Sequence, residues 1–190
     1  MEEINKLRKL YRLKNVDRMN SVGKRKESSA EHSWSCLILA DYFLSKTTIK
    51  LDRLKVYELL IWHDIIEIEA GDTPLGDSLR HPEKSNEGKQ AKEMAAMKKM
   101  EKEMPSPLGN KAALLFKEFE ECRTMEAKFA RAIDQLDAVI HEMDYKADWK
   151  GWSSEFLIEK KMKYFEQFPG VKQAFEKVIA FAEREGYFSQ

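Results

Sequence analysis

Residues 56–74 read VYELLIWHDIIEIEAGDTP. Their apolar members recur at the three- and four-residue spacing of a helix, which predicts one helix over about 52–70, closed by Gly71 and Pro74. Within this apolar surrounding stand His63, Asp64 and Glu67, and burying ionisable groups is costly unless they are paired or hold a metal. On a helix Glu67 lies one turn from both Asp64 and His63, while His63 and Asp64 point about 100° apart. Two such neighbours can reach one ion from adjacent directions. The remaining ligands must come from other helices.

The same spacing runs through almost all of the 190 residues, and alternating strand-like segments are hard to find, so the fold class is all-α. Helices are predicted at about 2–14, 28–46, 52–70, 85–104, 108–122, 125–148, 154–167 and 171–185, with breaks at Gly71, Pro74, Pro82, the Pro105/Pro107 pair and Pro169-Gly170. With no internal repeat or low-complexity tract, the chain reads as a single domain over 1–190, a helical bundle. The segment from about 152 to 186 is rich in aromatics and carries no motif; it is expected to close the core or a dimer interface. In 89–104, KQAKEMAAMKKMEKEM, charges alternate in sign over only about two heptads. That predicts a solvated helix with a Met-rich inner face rather than a coiled coil or a basic recognition helix.

The 33 basic and 33 acidic residues are interspersed, without the basic excess of a nucleic-acid or membrane-surface protein. No apolar run approaches the roughly 20 residues that span a bilayer, and MEEINKLRKL at the start lacks the apolar core of a signal peptide. A cytoplasmic protein is the expectation. Cys36 and Cys122 stand apart with no CxxC pair, as small core residues do.

Two further apolar helices carry ionisable residues. In SSAEHSWSCLILADYF, His32 falls in the first turn, and in EAKFARAIDQLDAVIHEM, Asp134 lies between Ile133 and Leu136. Any one of them alone reads as a satisfied core or cap residue. A histidine, a histidine–aspartate doublet and an aspartate on three separate helices read together as a metal constellation of His32, His63, Asp64 and Asp134. Mixed nitrogen and oxygen donors suit one borderline divalent ion, Mn, Fe, Co, Ni or Zn, over a soft or an all-oxygen site. Four protein ligands leave an octahedral ion two open positions, for a water and a substrate oxygen, so that it can serve as Lewis acid and make a nucleophile of the water. Glu67 reads either as the group that orients that water or shuttles a proton, or as a surface carboxylate paired with a lysine.

Taken in order, His32, the His63-Asp64 doublet and Asp134 resemble the H…HD…D signature of the HD-domain metal-dependent phosphohydrolases. The longer strings ESSAEHSW, HDIIEIEAGDTP and EAKFARAIDQLD are similar to the branch of the bacterial 5'-deoxynucleotidases and HD domain-containing protein 2, and the likeness runs from about residue 10 to about 148. The resemblance implies a helical fold with one divalent metal held between helices by His32, His63, Asp64 and Asp134, and hydrolysis of a nucleoside 5'-monophosphate to nucleoside and phosphate. It further implies Glu67 as catalytic acid/base, Asp72 as a contact to the sugar, and Arg18, upstream of His32 in DRMNSVGKRKESSAEH, as the phosphate-side arginine. Arginine suits that role because its planar fork can bind two phosphate oxygens. From the residues alone, Gly71 and Asp72 read as a helix stop and a turn or cap aspartate, and Arg18, Lys24, Arg25 and Lys26 as solvated charges. Relatives of this branch are commonly dimers, so a homodimer is expected.

Two features depart from that pattern. Met19 stands where the deoxynucleotidases have a tryptophan that helps exclude a ribose 2'-hydroxyl, and the stretch from Arg18 to His32 is a residue short. Both bear on the preference for deoxyribose and not on catalysis. His81, between the doublet and Asp134, and His141, two turns beyond Asp134, are expected on the surface. Ligation by His81 would instead make the site dinuclear, as in the HD-type oxygenases, and a closed coordination shell would make the metal structural. The doublet is followed by Glu67-Ile68 rather than the Glu-Asp of guanosine tetraphosphate hydrolases, and the GYP segment of cyclic dinucleotide phosphodiesterases does not occur.

Overall fold

The computed structural model describes residues 1–72 and 86–188, the side chains of 86–90 excepted. The chain opens with α1 (Glu2–Leu10) and a 3-10 turn (Tyr11–Asn15), then forms a two-stranded antiparallel hairpin of β1 (Asp17–Val22) and β2 (Arg25–Ser28). There follow α2 (Ser29–Leu44), α3 (Arg53–Trp62), the short α4 (Glu67–Ala70), α5 (Asn86–Glu103), α6 (Leu108–Glu121), α7 (Met125–His141), two 3-10 turns (Glu142–Asp144 and Lys146–Trp149), α8 (Ser154–Phe165) and α9 (Pro169–Arg184). The fold is mainly α, as the periodicity predicts. Among the described residues no helix is long and apolar enough to cross a membrane.

Helix α7 is the hub. It packs against α2, α3, α6, α8 and α9, and its buried face of Phe129, Ile133, Leu136 and Val139 meets Cys36 and Ala40 of α2, Leu59 and Leu60 of α3, and Phe165 and Phe175 of α8 and α9 in one core. Its start is fixed by Thr124, whose hydroxyl accepts from the Ala127 amide at 3.1 Å. A second cluster lies between the 3-10 turn after α1, the segment at 65–66, and α5 and α6, where Met97, Met100 and Met104 pack on Leu13, Ile65, Ile66 and Phe116. The Met-rich inner face of α5 is thus in the core, while Met94 is exposed.

Three expectations are corrected. First, residues 17–28 form a hairpin instead of a loop and a helix start. Its strands carry mostly polar residues without apolar alternation, so no period-2 signal exists. Gly23, at φ +60°, allows its two-residue turn. The hairpin is held by distant partners: the Ser21 amide and hydroxyl donate to Asp148 at 2.8 and 2.9 Å, Asn20 donates to Glu142 at 3.0 Å, and the Gly23 amide donates to the Tyr145 hydroxyl at 3.0 Å.

Second, the helix predicted over 52–70 stops at Trp62 and resumes at Glu67. The His63 ring donates from Nδ1 to the Leu60 carbonyl at 2.9 Å, the acceptor that a continuous helix would give to the Asp64 amide. The backbone tightens there to i→i+3 bonds, with the Ile65 amide on the Trp62 carbonyl and the Glu67 amide on that of Asp64. Third, α7 ends at His141 rather than continuing to 148, because residues 142–149 turn back under the hairpin. The Glu142 carbonyl there accepts from the Trp149 indole at 2.8 Å.

Removing the Asp148 carboxylate leaves both Ser21 donors without their acceptor. Asp148→Ala should lower stability by about 1–2 kcal/mol, as for hydrogen bonds to a charged group that is half-buried, and urea denaturation with an unchanged m-value would check it.

Candidate metal centre

Ser28 begins α2 with a capping box: its hydroxyl accepts from the Glu31 amide, and the Glu31 carboxylate accepts from the Ser28 amide at 2.9 Å. This fixes the first turn, and with it His32, which is fully buried. The break after α3 turns His63 inward, and α7 supplies Asp134. His32, His63 and Asp64 bring one donor atom each to within 4.8 Å of one another. Asp134 Oδ1 falls outside that group of three but lies beside both imidazoles, so that oxygen and nitrogen donors alternate from Asp64 through the histidines to Asp134. His32 Nε2 lies 3.1 Å from Asp134 Oδ1 and 3.9 Å from Asp64 Oδ2; His63 Nε2 lies 3.2 Å from Asp64 Oδ2 and 4.0 Å from Asp134 Oδ1. Two donors about 2.1 Å from a shared ion are about 3.0 Å apart at a right angle and about 4.2 Å apart in line. The four separations fall within that range.

The hydrogen bonds fix what these nitrogens can do. Because His63 Nδ1 donates to a carbonyl, its Nε2 carries the lone pair, and that atom is buried with no hydrogen-bond partner. A lone pair facing two carboxylates is unfavourable unless a cation stands between them. His32 is oriented in a similar way: its Nδ1 donates to Asp137 Oδ2 at 2.8 Å, which directs Nε2 inward to within 3.1 Å of Asp134 Oδ1. The residues present therefore fit a borderline divalent ion, which His32, His63, Asp64 and Asp134 could hold.

Around the ring lie the other residues singled out in the sequence. Arg18, on β1, reaches in: Nη1 is 3.4 Å from Asp64 Oδ2 and Nε is 3.3 Å from Glu27 Oε2, a carboxylate that is itself buried. Lys26 and Arg25 turn elsewhere, to the Met19 carbonyl and to Glu31. Met19, the strand neighbour of Arg18, is exposed. Glu67 Oε2 accepts from the Ser29 hydroxyl at 2.5 Å and shares a hydrogen bond with Asp72, so Glu67 is not the lysine-paired surface carboxylate that was its alternative. His81 lies outside the described residues. His141, expected on the surface, is half-buried: its Nε2 donates to the Ser21 carbonyl at 2.8 Å and its Nδ1 is 3.6 Å from Glu27. It ties α7 to the hairpin and is not among the clustered donors.

The sequence reading missed several supports. Asp137, Gln135 and Arg131 sit one to three residues from Asp134 on α7; the Asp134–Asp137 spacing of one turn is a signal that could have found the first. Phe119 packs on His63 with ring centroids 5.0 Å apart, and the Arg131 guanidinium lies 3.9 Å from the Phe119 centroid. Glu27 and Ser29 had no signal, since their roles depend on the hairpin.

Two nearby carboxylates are driven in opposite directions. Burial resists the ionisation of Asp64, but the positive charge around it, Arg18 included, outweighs it and holds Asp64 at about 2. Burial, then the Asp64 carboxylate, push Glu67 up to about 9, against the pull of the Ser29 hydroxyl. Burial raises Asp72 as well. Such a separation marks the division of labour between an ionised carboxylate and a proton-holding one.

The chain belongs to the HD-domain family, whose model matches residues 10–172. It is similar to 5'-deoxynucleotidase HDDC2 of Homo sapiens, 29% identical over 74% of this chain and 66% of that protein, and of Xenopus laevis, 27% identical over 65% of this chain and 57% of that protein. The chain thus spans less than two thirds of the length of these relatives. Its fold resembles that of a predicted metal-dependent phosphohydrolase from Magnetospirillum magnetotacticum, with TM-score 0.85 and 24% identity, covering 98% of this chain and 96% of the other. An HD-domain phosphohydrolase of Listeria innocua matches with TM-score 0.61 and 18% identity over 96% and 86%.

A group raised on folding adds stability below its unfolded pKa and loses that contribution as pH climbs to its folded value. For Glu67 the window runs from the ordinary glutamate range up to about 9. In chelator-treated protein, wild type should therefore lose stability more steeply than Glu67→Gln across that window. Denaturation midpoints of the two at a series of pH values provide the comparison, and parallel curves would contradict the buried, protonated state.

Proposed function

We propose that the protein is a metal-dependent phosphomonoesterase that hydrolyses nucleoside 5'-monophosphates to nucleoside and phosphate. The observation that carries this reading is the His63 Nε2 lone pair, buried and without a donor among two carboxylates. A divalent ion held by His32, His63, Asp64 and Asp134 would supply Lewis acidity to a phosphoryl oxygen and raise the acidity of an attacking water. The chain's own residues do the rest. Arg18, ion-paired with the buried Glu27, offers guanidinium N–H groups to the charge on the phosphoryl oxygens. Glu67, protonated at neutral pH and placed by Ser29, donates its proton toward the departing 5'-oxygen. Asp72, bonded to Glu67 where the chain leaves α4, contacts the sugar.

The nucleotide part of the reading is supported by the names of the HDDC2 relatives, at 22–29% identity. Met19 points to solvent beside Arg18, which favours tolerance of ribose over strict deoxyribose selection. A homodimer fits an apolar face on α2 and α3: Trp34, Ile38 and Tyr42, four residues apart, and Leu54 and Ile61 are all exposed.

Protein loaded separately with Mn, Co, Fe and Zn should release phosphate from a panel of deoxy- and ribonucleoside 5'-monophosphates. No release with any metal would end the nucleotidase reading. Glu67→Ala should keep its metal and lose about 10²–10⁴-fold in turnover, the range of a positioned acid/base. Asp64→Ala should bind no metal, and the rise in melting temperature that wild type shows on metal addition should vanish. Metal content measured on the purified variant decides that assignment.

A further inference from the structure

Helix α8 buries a lysine where its neighbours one turn away, Leu157 and Phe165, are core residues. Lys161 is 6% exposed, and among the described residues no carboxylate lies within ion-pair distance of its ammonium. A buried charge without a counter-charge is expensive, and a leucine or methionine would fill the position at no such cost. The ammonium is instead spent on one residue. Lys161 Nζ donates to the side-chain oxygen of Gln135 at 2.9 Å and to the Gln135 carbonyl at 3.2 Å, and Gln135 Nε2 donates to Asp134 Oδ2 at 3.0 Å.

We propose that Lys161 is a positioning residue which, through Gln135, makes Asp134 present a single oxygen to the metal. An ammonium can only donate. It must therefore take the amide oxygen of Gln135, and this turns the amide N–H groups toward Asp134. Arg131 Nη1, 3.6 Å from the same Oδ2, closes the outer side of the carboxylate. Oδ1 alone then faces His32 and His63. A carboxylate with both oxygens free can grip an ion with two, as carboxylates do in higher-coordinate sites. Held by one, it leaves open the position that substrate or water needs. Without the ammonium the oxygen of the Gln135 amide loses the partner that fixes it, and its N–H groups are no longer held against Asp134 Oδ2.

This inference rests on the metal assignment proposed above, and the test separates the two. Full-length wild type, Lys161→Met, Gln135→Met, the double variant and Asp64→Ala are each titrated with Co²⁺ alone, and the visible absorption of the bound ion is recorded. The expected result is a band in wild type that is absent in Asp64→Ala, and that is altered in position and intensity in Lys161→Met as the second Asp134 oxygen changes the ligand set. Turnover of Co²⁺-loaded Lys161→Met on a deoxynucleoside 5'-monophosphate should fall about 10- to 100-fold with KM little changed, the usual effect of removing a residue that supports a ligand. The double variant should match either single one, because both break the same chain. Should Lys161→Met fail to fold, Gln135→Met, which keeps the charge, carries the same expectation. A wild-type band that persists in Asp64→Ala overturns the metal assignment; a band lost in Asp64→Ala but unchanged in the folded Lys161 or Gln135 variant overturns only the role of Lys161.

Discussion

Two buried imidazoles aimed at two carboxylates are the constraint on which the rest of this molecule depends. Each ring has one nitrogen committed outward, His63 to the Leu60 carbonyl and His32 to Asp137, so each has its other nitrogen committed inward. The fold must then hold three helices in register to a fraction of an ångström, because donors that miss a shared ion leave bare polar atoms in the core. Placing α7 at the hub meets that demand. It contributes Asp134 to the ring, Asp137 to the outward side of His32, and an apolar face against which α2 and α3 are both packed.

The carboxylates around this centre outnumber what could remain ionised together. They divide by their neighbours: Asp64 and Asp134, beside the imidazoles and arginines, stay below the usual range, whereas Glu67, Asp72, Glu27 and Glu142 are pushed upward, each chiefly by burial. The inner pair is thus ready to meet a cation, while Glu67, raised to about 9, holds a proton at neutral pH. Glu67 belongs to the raised set yet lies against the inner pair, which is the position an acid must occupy to serve chemistry at the ring.

Much of this was legible in the sequence, and the reasons are physical. Helices buried on one face must repeat apolar residues at helical spacing, so α2, α3, α5, α6, α7, α8 and α9 announce themselves. Ionisable residues inside such a pattern are anomalies, so His32, His63, Asp64 and Asp134 stand out, and the structure brings them together. What could not be read depends on partners far away in the chain. The hairpin has no pattern of its own and is fastened by Glu142, Tyr145 and Asp148. The break after Trp62 comes from one side chain competing for one carbonyl. Lys161 looks like any surface lysine on an amphipathic helix until Gln135 is placed beside it.

The fastening of the hairpin also couples the two halves of the site. Its contacts to the segment 141–148 span 120 to 127 residues of sequence, much the same separation as that between His32 and its partners Asp134 and Asp137, 102 and 105 residues. The donor ring and the seat of Arg18 therefore close over one long loop at a similar entropic cost. Whatever loosens the junction of α2 with the end of α7 loosens the hold on a cation and on an anion beside it together.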